Sequence, residues 1–204
     1  MLESEKRLER MKGTLRREAA VLGALADTLD PRAAEAAGVL LATRGHVLVG
    51  GAGTSNAVAR RFAHLLSCSG LPAVFLQASD CLHGSAGAVK PEDTVLLISK
   101  GGRTAEVNDF ARIAKARGAR LIAMTESPES DLGRMADAVI PVKISADSDP
   151  FGMVATSSSL ANAAVTDAIC ETVLVETGYS LREFAFTHPG GAVGQRIEKE
   201  QIVK

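Results

Sequence analysis

The chain lacks much of what nucleic-acid and membrane proteins need. Its 204 residues include no tryptophan and one tyrosine, and its 23 basic and 24 acidic side chains nearly balance, with no basic cluster. Nucleic-acid binding would require positive charge and aromatic stacking, which are both scarce here. No apolar run approaches the length of about 18 residues that marks a membrane span. We therefore expect no nucleic-acid partner and no membrane insertion.

The three cysteines, Cys68, Cys81 and Cys170, stand at spacings that match no metal or redox motif. An odd count also argues against a disulfide framework, so we interpret them as reduced packing residues of a cytoplasmic protein. Cys81 is the least certain case, because it lies two residues from His83 in a loop. The charged start MLESEKRLER is followed by no apolar segment, so we expect no secretory signal.

Five short apolar runs alternate with helical patterns along most of the chain. The runs are HVLVGG, PAVFL, DTVLLIS, RLIAMT and AVIPVKI. Strands that are apolar throughout and alternate with helices predict a parallel sheet covered on both faces. The expected fold class is α/β, a doubly wound three-layer αβα sandwich with a five-stranded parallel sheet and right-handed crossovers.

Two helices are predicted before the first strand, over residues 3–29 and 31–43, with Asp30 as N-cap and Pro31 as the first helical residue. The first of them exceeds what the sheet needs for cover, so we expect it to pack on a partner subunit. Further helices are predicted over 55–70, 104–118, 130–136 and 156–178. We expect one domain over 1–204, with N-terminal helices in 1–43 and an α/β core in 44–197.

The loops that follow the strands are the place to seek function, because open α/β sheets bind ligands beyond the carboxyl ends of their strands. The first loop, GGAGTSN, runs from Gly50 to Asn56. Asn56 stands where a dinucleotide fingerprint has its third glycine, no acidic residue ends the second strand, and the Lys-Ser/Thr pair of a P-loop is missing. The loop therefore favours a close backbone approach to an anion rather than a nucleotide site.

Two further loops carry hydroxyls at predicted helix starts. Residues 99–104 read SKGGRT and residues 156–159 read TSSS. Hydroxyls and free backbone N–H groups form a cradle for a phosphate monoester, although a single hydroxyl is also what an ordinary N-cap needs. The three loops together predict a small phosphorylated ligand and no bound nucleotide.

Several side chains near these loops are candidates for acid–base chemistry. Glu106 lies just inside the helix after the second loop, where it acts either as a general base or only as a partner of the helix dipole. His83 sits in a glycine-rich loop and is expected to face a cleft. Asp147 and Asp149 follow the fifth strand, either as turn residues or as members of the site.

His188 lies in the segment THPGGAVG, after the last strong helical pattern. Pro189 biases it away from helical geometry, and the two glycines that follow permit a sharp bend. The segment either presents a reactive histidine or uses it to cap a neighbouring element.

The motifs GAGTSN, SGLPAVFL, LHGSAG, ISKGGRTAE, ATSSSLANAAVTDA and FAFTHPGGAVG resemble, in order and spacing, those of the sugar isomerase (SIS) domain family. The resemblance covers residues 35–197 and is strongest to its arabinose-5-phosphate isomerase branch. It implies the same five-stranded sandwich, a phosphosugar ligand, no metal or other cofactor, and a dimer or tetramer with sites at subunit interfaces. The chain ends soon after HPGGAVG, so we expect none of the paired CBS domains that often follow.

The resemblance also assigns roles to individual residues. It implies catalytic roles for Glu106, His83, His188 and Asp147, the last at a position where the family usually has Glu. It implies phosphate binding by the following residues of the three loops: Gly53, Thr54, Ser55, Ser99, Gly101, Gly102, Thr104, Thr156, Ser157 and Ser158. Thr54, Gly101 and Ser85 depart from the pattern, where the family has Lys, Ser and Asp.

The expected function is aldose–ketose isomerisation of a phosphosugar through a cis-enediol. Two alternatives remain open: a non-catalytic phosphosugar sensor or regulatory protein, and an isomerase of another sugar phosphate such as a hexulose 6-phosphate.

Overall fold

The computed structural model describes residues 3–145 and 149–202. Its centre is a five-stranded sheet in the order β2-β1-β3-β4-β5, in which every neighbouring pair is parallel. The strands are β1 (Val47–Gly51), β2 (Ala73–Phe75), β3 (Thr94–Ile98), β4 (Arg120–Thr125) and β5 (Ala138–Pro141). The winding direction reverses between β1 and β3, which places the switch point of the sheet between these two strands.

Helices precede the sheet, connect its strands and follow it. They are α1 (Glu3–Asp27), α2 (Arg32–Leu41), α3 (Gly53–Cys68), α4 (Ala78–Cys81), α5 (Ala105–Ala116), α6 (Asp131–Met135), α7 (Ser157–Thr177), α8 (Leu181–Thr187) and α9 (Gly191–Lys199). One 3₁₀ turn, Ser85–Ala88, lies between α4 and β3.

The sheet is covered on both faces because its strands are apolar on both sides. Val49 and Ile98 belong to a cluster with α2, α3 and α7, whereas Leu48 and Leu97 belong to a cluster with α4, α5 and α6. A fully buried phenylalanine from α3 or α5 anchors each cluster. Replacing such a residue by alanine typically costs about 3–5 kcal/mol. The predicted three-layer αβα sandwich is confirmed.

The N-terminal helices are slightly shorter than the sequence pattern predicts. Helix α2 begins at Arg32 rather than at Pro31, and the Asp30 carboxylate accepts a hydrogen bond from the Arg32 backbone N–H at 3.0 Å. Helix α1 ends at Asp27, and among its described residues only Leu25 is buried. Most of α1 therefore lies outside the core.

The last helix predicted from the sequence pattern is α7, but the chain after it forms two more helices, α8 and α9. The sequence contains the signal for the first of them, a capping box in which Ser180 and Glu183 satisfy each other's backbone N–H groups. The fifth strand is also shorter than predicted and ends at Pro141, which has no N–H to donate to a ladder.

All three cysteines are free thiols, and Cys81 and Cys170 are buried. Burial raises the pKa of Cys81 to about 11, with a smaller contribution from the charge of Asp80. These two thiols fit the interpretation as packing residues, whereas Cys68 is half-buried. Within the described ranges, no helix is both long and apolar enough to cross a membrane.

Candidate functional site

The loops after β1 and β3 lie side by side at the switch point. Gly51 at the end of β1 is the register partner of Ile98 at the end of β3. The chain then enters α3 two residues after Gly51, and it reaches α5 through the segment 99–104. Two of the predicted anion-binding loops are therefore neighbours in space.

Three helices that follow or contain predicted phosphate-binding residues begin without a cap from the preceding side chain. The residues before α3, α5 and α7 are Ala52, Thr104 and Thr156, and none of these side chains forms a cap hydrogen bond to its helix. By contrast, Ser130 caps α6 and Ser180 caps α8. The first N–H groups of an uncapped helix carry partial positive charge and suit an anion. The starts of α3 and α5 therefore suit the phosphate that the sequence predicts.

The hydroxyls of Ser99 and Thr104 face each other across the loop after β3, with 3.1 Å between Ser99 Oγ and Thr104 Oγ1. The carbonyl of Lys100 accepts hydrogen bonds from Thr125 Oγ1 at 2.8 Å and from the Glu126 N–H at 2.9 Å. The loop is thus tied to the end of β4. This arrangement holds the two hydroxyls in place before any ligand binds.

Gly102 fixes the other half of the same loop. Its carbonyl accepts hydrogen bonds from the Leu132 N–H at 3.1 Å and from Asn108 Nδ2 at 3.3 Å. Its φ of +63° lies in the left-handed region that glycine adopts without strain. Gly101, by contrast, is exposed and has open space around it.

A cavity of about 180 Å³ lies between the loops after β1 and β2 and the start of α5. Glu106, in the first turn of α5, is half-buried there. The lining residues are Gly51, Ala52, Gly53, Asn56, Gln77, Ser79 and Glu106. Among the predicted site residues that the structure describes, Gly53 and Glu106 line this cavity and the others do not. The structure thus brings the candidate base to the first glycine loop.

Sequence reasoning missed three polar residues of this cavity, Asn56, Gln77 and Ser79. Gln77 Nε2 donates a hydrogen bond to Ser79 Oγ at 3.0 Å. The only available signal was Asn56, a polar side chain at the position of a fingerprint glycine. Nothing in the pattern after β2 indicates that Gln77 and Ser79 turn toward α5.

The remaining hydroxyl residues lie at helix starts. Thr54 is exposed and Ser55 half-buried in the first turn of α3, which begins two residues earlier than predicted. Ser157 and Ser158 are buried at the start of α7. These positions are compatible with the predicted phosphate role.

The two candidate histidines lie apart from the Glu106 cavity in the described part of the chain. His83 is exposed between α4 and the 3₁₀ turn. His188 is half-buried at the end of α8 and stacks on Phe184, with 3.7 Å between ring centroids and 13° between planes. Its Nδ1 lies 2.9 Å from the Phe184 carbonyl oxygen and 3.0 Å from Thr187 Oγ1.

The carbonyl contact determines which proton the His188 ring carries. A carbonyl oxygen only accepts, so Nδ1 is the donor, and Nε2 is the nitrogen available for chemistry. In the next turn, a Cβ atom on Gly194 would lie 2.2 Å from the Pro189 carbonyl oxygen, so α9 packs directly on the HPGG bend. The segment therefore caps α8.

Asp147 lies outside the described residues. Asp149 behaves as a turn residue, because its carboxylate accepts hydrogen bonds from the backbone N–H groups of Phe151 at 2.8 Å and Val154 at 3.0 Å. The alternative that Asp149 organises a turn is therefore supported by its contacts.

Residues 40–171 match the model of the SIS domain. The chain belongs to the SIS domain family. Arabinose 5-phosphate isomerase KdsD of Pseudomonas aeruginosa is 35% identical over 159 residues, which are 78% of this chain and 49% of that protein. This SIS chain thus spans about half the length of the relatives that it matches.

Two solved structures share the fold across nearly the whole chain. A candidate sugar-phosphate isomerase from Listeria monocytogenes is 33% identical, with a TM-score of 0.88 over 93% of this chain and 100% of that one. An Escherichia coli CFT073 protein in complex with arabinose 5-phosphate is 27% identical, with a TM-score of 0.87 over the same shares. The resemblance stated from the motifs is confirmed at the level of family and fold.

Proposed function

We propose that this SIS domain catalyses aldose–ketose isomerisation of a phosphosugar, with arabinose 5-phosphate as the first candidate substrate. The observation that carries the proposal is the position of Glu106. Its side chain lies in the cavity beside the first glycine loop, and its own helix, α5, begins uncapped next to the Ser99–Thr104 hydroxyl pair. A carboxylate is thus held beside a place suited to a phosphate ester. The family relationship supports the same substrate class.

In the proposed reaction Glu106 removes the proton from the carbon next to the carbonyl. The electron pair of the broken C–H bond forms the double bond of a cis-enediol, and the carbonyl oxygen gains a proton. Returning the proton to the neighbouring carbon, with loss of a proton from the other oxygen, completes the isomerisation. Positioned proton transfer of this kind typically contributes about 10²–10⁴-fold to the rate.

A histidine is the proposed partner for the oxygen protons, since imidazole both donates and accepts protons near neutral pH. His188 is the first choice because its Nδ1 is anchored to α8, which leaves Nε2 as the reactive nitrogen. Since His188 does not line its own chain's cavity among the described residues, we propose that it serves the site of a neighbouring subunit.

The phosphate is assigned to the residues at the starts of α3, α5 and α7, and His83 and Asp147 keep their proposed catalytic roles. The phosphate set comprises Gly53, Thr54, Ser55, Ser99, Gly101, Gly102, Thr104, Thr156, Ser157 and Ser158. The starts of α3 and α5, where the preceding side chain forms no cap hydrogen bond, support the assignment.

The exposed face of α1 supports a homo-oligomer. Leu8, Met11 and Leu15 recur at helical spacing and are 50%, 65% and 66% exposed. We propose that this stripe packs against a second copy of the chain. We also propose that residues 1–204 form a single domain and that the chain assembles as a dimer or tetramer. Three free thiols fit a cytoplasmic location.

The deciding experiment incubates the protein with a panel of pentose and hexose phosphates in D₂O and follows exchange of the C2 proton by NMR. Exchange with arabinose 5-phosphate supports the proposal. Exchange only with a hexulose 6-phosphate would mean that this sugar phosphate, and not arabinose 5-phosphate, is the substrate. Binding without exchange across the panel would instead support the regulatory alternative, which the missing lysine at Thr54 favours.

A further inference from the structure

The side chain of Asn56 has an unusual position in the cavity that holds Glu106. Asn56 lies in the first turn of α3, where its backbone N–H donates to the Ala52 carbonyl at 3.3 Å. Asn56 lines the cavity, yet its buried Oδ1 has no hydrogen-bond partner within residues 3–145 and 149–202. Most buried polar side-chain atoms have a partner, so this oxygen requires an explanation.

An amide group is suited to sugar hydroxyls because it offers an acceptor and two donors on one planar unit. In its present orientation the Asn56 amide accepts no hydrogen bond at Oδ1 from the described residues. Rotation about its terminal bond is soft, so turning Oδ1 toward the cavity sacrifices no contact of that atom. A ligand that supplies a donor would satisfy an oxygen that the free protein leaves unsatisfied.

The rest of the lining indicates which part of a phosphosugar belongs here. None of the side chains lining this cavity, among the described residues, is basic, and Glu106 contributes a carboxyl. Gln77 and Ser79 are already joined to each other by a hydrogen bond, which orients two further polar groups. Uncharged polar groups around one carboxyl favour hydroxyls over a second anion.

We propose that Asn56 is a specificity-determining residue that binds a hydroxyl of the sugar chain beside the reacting carbons. The proposal deepens the proposed isomerase function and rests on it. The proposal places a polyol end at Asn56, Gln77 and Ser79, and it leaves the phosphate to the Ser99–Thr104 loop and the neighbouring helix starts.

The test measures binding rather than turnover, so that it is independent of the chemistry. D-arabinitol 5-phosphate has no carbonyl and cannot isomerise, and methyl phosphate tests the phosphate end alone. By calorimetry, we expect Asn56→Ala to weaken arabinitol 5-phosphate binding about tenfold, the size of one neutral hydrogen bond, and to leave methyl phosphate binding unchanged. Asn162→Ala, the same substitution in α7, is the matched control and should leave both affinities unchanged.

Deoxy analogues of arabinitol 5-phosphate then identify the hydroxyl. One deoxy analogue should bind the wild-type protein as weakly as arabinitol 5-phosphate binds Asn56→Ala. The affinity of that analogue for Asn56→Ala should be no lower still, because the two changes remove the same contact. Without ligand, Asn56→Ala should also melt at the same temperature as the wild type or at a higher one, since an unsatisfied polar atom has been removed.

Two results would overturn the proposal while leaving the isomerase function intact. In one, wild type and Asn56→Ala bind arabinitol 5-phosphate equally, although C2 exchange occurs. In the other, Asn56→Ala weakens the binding of methyl phosphate as much as that of the alditol phosphate, which would place Asn56 at the phosphate. Conversely, a tenfold loss without any C2 exchange would support the Asn56 contact and reject catalysis. Failure of the wild type to bind any alditol phosphate would reject the Asn56 contact, and the C2 exchange experiment would decide the isomerase function separately.

Discussion

A Cβ atom on Gly102 would lie 1.9 Å from the Oγ of Ser130 and 2.6 Å from its Cβ. The loop after β3 therefore packs directly against the residue that caps α6. Since Ser130 Oγ also accepts a hydrogen bond from the Gly133 N–H at 3.3 Å, it cannot move without uncapping that helix.

Gly102→Ala should destabilise the protein and weaken binding of methyl phosphate. The side chain would meet Ser130 in a backbone conformation that L residues rarely adopt, so we expect a loss of about 3 kcal/mol or more in the free energy of unfolding. Urea denaturation measures this loss. Gly101→Ala is the matched stability control, because a Cβ there meets open space. Equal stability of the two variants would contradict the packing argument.

Glu106→Gln should lower C2 proton exchange by about 10²–10⁴-fold, because the amide cannot accept the proton. NMR in D₂O measures the exchange, and calorimetry with methyl phosphate checks that the phosphate site survives. Glu129→Gln, an exposed carboxyl in the loop after β4, is the control and should retain activity. Intact exchange in Glu106→Gln would remove Glu106 as the base.

His188→Ala should abolish C2 exchange while leaving the fold and the oligomer intact. A purely capping role would instead lower stability modestly and leave exchange unchanged, because only local contacts with Phe184 and Thr187 would be lost. Mixing inactive Glu106→Gln subunits with inactive His188→Ala subunits tests the assignment across subunits. Recovery of part of the activity is expected, since mixed assemblies contain sites with both groups.

The exposed stripe of α1 should hold copies of the chain together. Light scattering at micromolar concentration should give a dimer or tetramer, and the double variant Met11→Glu, Leu15→Glu should shift it toward monomer by placing charge in an apolar contact. Arg10→Glu, on roughly the opposite face of the helix, is the control. A wild-type monomer would count against both the interface and a site shared between subunits.

The carboxyl of Asp30 should titrate unusually low. Hydrogen bonds from the Arg32 side chain, and then from its backbone N–H, lower the pKa of Asp30 from 3.8 to about 2. Arg32→Ala should therefore raise that pKa part of the way back, since the backbone donor remains; ¹³C NMR titration measures it. Because the folded pKa lies below the unfolded one, this contact stabilises fully above about pH 4, and its contribution is lost as the pH falls toward 2. Arg134→Ala should leave the Asp30 titration unchanged.

Much of the molecule was predictable because its signals are local. Runs such as DTVLLIS are apolar on both sides of a strand, and this pattern alone indicates a sheet covered on both faces. The Ser180–Glu183 capping box shows that the segment after α7 also contains a local signal, which marks the start of α8. The phosphate loops were visible because glycine and hydroxyl residues cluster where strands end.

The sequence by itself determined the three-layer α/β fold, the position of the candidate anion-binding loops and the candidate base at Glu106. Only the tertiary structure decided that Asn56, Gln77 and Ser79 share a cavity with Glu106, and that His188 does not join them within its own chain. The physical reason is that periodicity reports which face of an element is buried. Which loops meet depends on the strand order β2-β1-β3, and that order is set by packing between distant segments.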